Sequence, residues 1–138
     1  MARYATNCMR YLDMRKIKYS EIDDYTLRIS YSCDNIDNIS VYVRFDKDGG
    51  NTVTLNAFQI ANFGANSEKN LKGLIVCNAL NQKLRWVKFY LDEESDLIAE
   101  CDAIVDPETV GEECLSLILK IVHIVDESYP LIMKALWG

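Results

Sequence analysis

A chain of 138 residues with a formal net charge of −6 has the size of one domain and lacks the cationic excess that phosphate binding requires, so a nucleic-acid role is excluded. Its apolar share of 49% and charged share of 26% are those of an ordinary globule, able to bury a core without a metal or disulfide. No apolar run approaches a membrane span, and Met1-Ala2-Arg3-Tyr4 leads into no signal-peptide core; a reducing cytoplasm is the expected setting.

Tyr4, Cys8, Tyr11 and Leu12 recur at helical spacing and predict an amphipathic helix from Ala2 to Lys16, with Arg3, Arg10 and Arg15 on its other side. Ile17 to Asp24 reads as a linker anchored by Tyr19 or Ile22. Strict alternation then begins. Tyr25, Leu27, Ile29 and Tyr31 oppose Thr26, Arg28, Ser30 and Ser32, and after the turn Asp34–Asn38 a second run sets Ile39, Val41, Val43 and Phe45 against polar neighbours. The tract Asp46 to Asn51 holds the glycines of the next turn, and a third strand carries Val53 and Leu55. These three runs predict an antiparallel meander.

The stretch from Ser67 to Asp92 organises the rest. Its helix, capped by Asn66 or Ser67, carries Leu71, Leu74, Ile75 and Ala79 on one side and Val76, Cys77, Leu80 and Leu84 on the other, so burial on more than one side is expected. Asn78 and Asn81 need partners, which backbone groups at the helix end would supply. Strands follow at Trp86–Leu91 and Leu97–Ala103, joined by the acidic turn Asp92–Asp96. The final helix opens on Asp106-Pro107-Glu108-Thr109 with Asp106 as N-cap, runs to about Tyr129, and breaks or kinks at Pro130 before an apolar tail. The predicted fold class is α+β: one domain over 1–138, order α-βββ-α-ββ-α, with a five-stranded antiparallel sheet.

No constellation of catalytic residues is legible. Asp46-Lys47-Asp48 resembles the start of a calcium loop, but the sixth and twelfth positions hold Asn51 and Ala57 in place of glycine and an acid. His123, the single histidine, lies on the polar side of the last helix with Ser116, Lys120 and Glu127, and no nucleophile or orienting acid converges on it by spacing. Cys8, Cys33, Cys77, Cys101 and Cys114 form no Cys-x-x-Cys pair and read as free thiols packed as small apolar residues. The expectation is no catalytic, cofactor or metal site. One feature exceeds the needs of a sheet contact: on the last helix Leu115, Leu119 and Ile124 widen the stripe of Val110, Cys114, Leu117, Ile118, Ile121, Val122 and Val125. Either the helix is covered on two sides within the chain or it meets another chain, through a surface at Leu115, Leu119 and Val122.

Several local patterns resemble the YbjN family of small bacterial proteins, described as regulators of sensory transduction. They are Ile17-Lys18-Tyr19 with Asp23-Asp24-Tyr25, then Cys77-Asn78-Ala79-Leu80-Asn81 ahead of Val87–Asp92, and Tyr129-Pro130-Leu131-Ile132-Met133. The turn Glu93-Glu94-Ser95 lacks the family's usual glycine. The resemblance implies a type III secretion chaperone-like fold, a bias towards protein binding and no catalytic residues. The leading expectation is a non-enzymatic cytoplasmic interaction module, chaperone-like or regulatory, binding a protein partner or a second copy of itself, with no nucleic-acid or membrane partner. The alternative is a small-ligand sensor with a pocket between the sheet and the last helix, lined by Tyr25, Tyr31, Tyr42 or Tyr90.

Overall fold

Alternation along the strands sets the sheet, and the long last helix closes it. The structure, a computed structural model, describes residues 3–138, so Ala2, placed in the first helix from sequence, lies outside the described residues. The elements run α1 (Arg3–Met14), β1 (Ser20–Asp23), β2 (Thr26–Ser32), β3 (Asn38–Phe45), β4 (Thr52–Asn62), α2 (Ser67–Lys83), β5 (Lys88–Leu91), β6 (Asp96–Ile104) and α3 (Val110–Trp137). The strands form one antiparallel sheet in the order β1-β2-β3-β4-β6-β5. Leu27, Ile29, Val41, Val43, Leu55, Ala57, Ala99 and Cys101 lie on its buried face, in one core with Cys114, Ile118, Ile121 and Val125 of α3.

The sheet has six strands where five were expected. The sixth is β1, read from sequence as part of a linker. All four of its residues are exposed, so it carries no alternation of apolar and polar side chains; backbone pairing with β2 alone makes it a strand. β4 also runs farther than Val53 and Leu55 announced, reaching Asn62 through an irregular register between Ala57 and Ala61, where Gln59 takes a φ of 60°.

The last helix departs from expectation at both ends. Asp106 accepts from the Glu108 N–H at 2.9 Å, which closes a turn over 106–109, and Thr109 becomes the N-cap. At the other end the helix continues through Pro130 to Trp137. Proline at 130 has no N–H for the carbonyl of Asp126, four residues earlier. The Asn35 Nδ2 group donates to that carbonyl at 3.1 Å, while the Asp126 carboxylate accepts from the N–H groups of Asn35 at 2.8 Å and Ile36 at 3.0 Å. The β2–β3 turn thus satisfies the carbonyl the proline leaves free, and the helix continues.

Two helices flank α3. Asn7 Nδ2 of α1 donates to the Pro107 carbonyl at 2.8 Å, and a Cβ at Gly111 would collide with Tyr11, so glycine is what lets α1 approach the start of α3. α2 lies against β5 and the C-terminal half of α3. The width of the apolar arc on α3 is therefore met within the chain along much of its length.

Candidate interaction surface

Asn66 fixes where α2 begins: its Oδ1 accepts from the N–H groups of Glu68 at 2.9 Å and Lys69 at 3.2 Å. At the far end Asn81 donates to the Phe89 carbonyl at 3.0 Å and accepts from the Phe89 N–H at 2.8 Å, so one amide fastens the helix to β5. Asn78, by contrast, is exposed. The inner side of α2 is Gly73, Val76, Cys77 and Leu80. A Cβ at Gly73 would lie 2.8 Å from Phe63 Cγ and 2.9 Å from Leu91 Cδ1, so only glycine allows this close an approach.

The outer side departs from the expected burial on more than one side. Leu71, Leu74 and Ile75 are 57%, 50% and 60% exposed. The reason is position: β5, the strand beneath α2, is the edge of the sheet and only four residues long, so nothing among the described residues reaches around the helix. Between α2 and the end of α3 runs a groove of about 360 Å³ floored by Ile75, Val76, Ala79, Leu131 and Ala135, with Lys72 and Lys134 beside it. Trp137 leaves most of its indole in solvent, with Lys69 Nζ 5.0 Å from the ring centroid. The wall made by Leu131, Lys134 and Ala135 exists because α3 continues past Pro130.

The three residues singled out on α3 do not share one fate. Leu115 is buried, Val122 is half-buried, and Leu119 is 49% exposed. They therefore present one exposed side chain instead of a patch. His123 is exposed.

A second concavity, of about 450 Å³, lies on the other face of the sheet between Arg44, Asp46, Thr54, Asn56, Tyr90 and Glu100. The Glu100 carboxylate accepts from Asn56 at 2.8 Å and Tyr90 at 3.0 Å and pairs with Lys88 at 2.9 Å. Burial pushes this carboxyl up, but Lys88, Asn56 and Tyr90 together outweigh it and hold it below the usual range. Tyr42 and Phe58 pack edge to face at 5.5 Å, with the Arg44 guanidinium 5.5 Å above the Phe58 ring. The space between the sheet and α3, where the sensor reading placed a pocket, is occupied by core side chains.

All five cysteines are free. Burial raises the Cys77 thiol to about 11, and a hydrogen bond with Cys8, followed by burial, raises Cys114. Such thiols stay protonated and are poor nucleophiles. Among the described residues no group of His, Cys, Asp or Glu side chains could hold a metal ion, and no helix is long and apolar enough to cross a membrane. In the acidic turn, Asp92 Oδ1 accepts from the N–H groups of Glu94 and Asp96, so the loop closes on itself.

Comparison with solved structures places the fold. YbjN of E. coli superimposes with a TM-score of 0.62 at 16% identity, covering 90% of each chain. A chain from the complex of the Yersinia pestis type III secretion chaperone SycH with a fragment of YscM2 gives 0.55 at 10% identity, over 88% of this chain and 96% of that one. A chain of the heterodimeric ExoU–SpcU complex from the Pseudomonas aeruginosa type III secretion system gives 0.53 at 14% identity, over 93% and 96%. No curated protein matches the sequence. The model of the YbjN family, described as "Putative bacterial sensory transduction regulator", matches residues 10–132, and the chain belongs to that family.

Proposed function

We propose that this chain is a non-enzymatic, cytoplasmic protein-binding module with a regulatory or chaperone-like role, and that its binding face is the outer side of α2 with the groove beside it. One observation carries the reading: Leu71, Leu74 and Ile75, on a helix otherwise well fastened to the fold, stand half or more exposed beside an apolar groove. The fold shared with SycH and with the ExoU–SpcU complex, both solved with a protein bound, points the same way. The test compares the proteins retained from lysate by immobilised wild type and by Ile75→Asp, after thermal melts establish that both are folded. Ile75→Asp should lose a defined subset of captured proteins; identical sets from both would sink the reading.

The second reading, a small-ligand sensor, rests on the polar concavity around Glu100, Tyr90 and Arg44. A metabolite panel read by thermal shift, repeated on Arg44→Ala, tests it: a ligand whose shift disappears with Arg44 would favour the sensor over the binding module.

A further inference from the structure

We infer that the groove between α2 and α3 takes a short amphipathic helix of a partner protein whose apolar side is bordered by aspartate or glutamate. The inference rests on the reading of this face as a protein-binding surface and adds the chemistry of the occupant. Its shape comes first. The groove runs between two helices, and its α2 wall from Lys72 to Ala79 is about 10 Å long at ~1.5 Å per residue, room for two turns of a third helix laid alongside.

Charge decides the occupant. The chain as a whole is acidic, with a net charge of −6, yet both charged side chains lining the groove are lysines, Lys72 and Lys134. Lys69, over the Trp137 ring, adds a third cation on the same two elements. The carboxylates nearest in sequence, Glu68 and Glu127, do not line it. A second copy of the chain meeting this face through a two-fold axis would bring the lysines of one copy, Lys72 and Lys134, towards those of the other, with no carboxylate side chain lining the groove to offset them. A partner helix with leucines at i, i+3, i+4 and i+7 and acids on either side fills the floor of Ile75, Ala79 and Leu131 and offsets both lysines.

The experiment uses two synthetic peptides of about three turns with that leucine pattern, one flanked by glutamate and its twin by lysine. Binding to the full chain is followed by fluorescence anisotropy at low and high salt. The glutamate peptide should bind roughly tenfold or more tightly than the lysine twin, with the difference shrinking as salt rises. The Lys72→Glu, Lys134→Glu double variant should reverse the order, and Ile75→Asp should abolish both. Equal binding of the two peptides would overturn the acidic partner while leaving the protein-binding face in place. A wild-type dimer in sedimentation that Ile75→Asp dissociates, with neither peptide bound, would assign the face to a second copy and overturn the inference. Failure of both peptides on a monomer, with lysate capture indifferent to Ile75→Asp, would remove the face itself.

Discussion

Two helices that both carry runs of apolar residues meet opposite fates in this fold. α3 crosses the sheet and buries Val110, Cys114, Ile118, Ile121, Val125 and Ile132 almost completely, whereas α2 leaves Leu71, Leu74 and Ile75 half or more exposed. α3 is the more apolar of the two, but composition does not explain why leucines and an isoleucine of α2 stay outside. α3 packs on β3, β4 and β6 with α1 and α2 against its flanks; α2 rests on the four-residue edge strand β5 and one side of α3. An apolar side chain is buried by what lies opposite it, and on the outside of α2 nothing among the described residues does. That leftover surface is the one the proposed partner would cover.

The largest effect should come from α3. Ile121→Ala deletes a fully buried part of the core, and is expected to lower the unfolding free energy by about 2–5 kcal/mol in chemical denaturation. A loss under one kcal/mol would mean that α3 is not the interior side of the comparison. Next comes the fastening of α2. Asn81→Ala removes both hydrogen bonds to Phe89 and should cost about 1–3 kcal/mol, with hydrogen exchange rising at Phe89 before the rest of the sheet. If exchange there is unchanged, packing alone holds α2 in place.

A smaller effect is tied to pH. Burial pushes the Asp126 carboxyl up, but the backbone N–H groups of Ile36, Asn35 and Asp34 outweigh it and hold the group below the usual aspartate range. A carboxylate depressed in the folded state stabilises fully above its unfolded pKa and loses that contribution as pH falls through the folded one. Melting temperature should therefore drop more steeply below about pH 4 in wild type than in Asp126→Asn. Parallel curves would show that the clasp at Pro130 adds nothing as an ion. The smallest effects belong to exposed apolar positions. Leu74→Ser on α2 and Leu119→Lys on α3 should each change stability by no more than about 0.5 kcal/mol, and only the α2 change should weaken partner capture. Loss of capture in Leu119→Lys would move the binding surface back to α3.

Much of the fold was legible because burial and periodicity coincide in it. The β2–β3–β4 meander, an N-cap at Asn66 or Ser67 and the β5–β6 hairpin all follow from local patterns in the sequence, whereas Asn81, expected to find backbone partners at the helix end, finds them on Phe89 of β5. β1 was not legible, since an exposed edge strand has no apolar alternation to read. The end of α3 was missed because the donor that satisfies the carbonyl left by Pro130 is Asn35, 91 residues away from Asp126. The apolar residues that α2 gives the candidate site were visible as a run in the sequence, whereas Leu131 and Ala135 join them only through the fold; the family likeness was carried in part by Cys77-Asn78-Ala79-Leu80-Asn81 on the same helix. The expectation that α2, apolar on two sides, is covered on both does not hold for Leu71, Leu74 and Ile75; and the wide arc of α3, read as covered within the chain or meeting another one, includes Leu115 and Val122, which the fold buries wholly or in part.

The sequence by itself determined every element type but that of β1, the antiparallel pattern, the reduced state expected of its thiols and the family. Each depends on neighbours close in the chain or on composition. Only the tertiary structure decided which apolar residues remain outside, because that depends on the reach of β5 and on the length α3 attains once the β2–β3 turn has met Asp126. A hydrophobic side chain carries the same tendency wherever it stands; the geometry of distant segments decides whether its own chain or another one covers it.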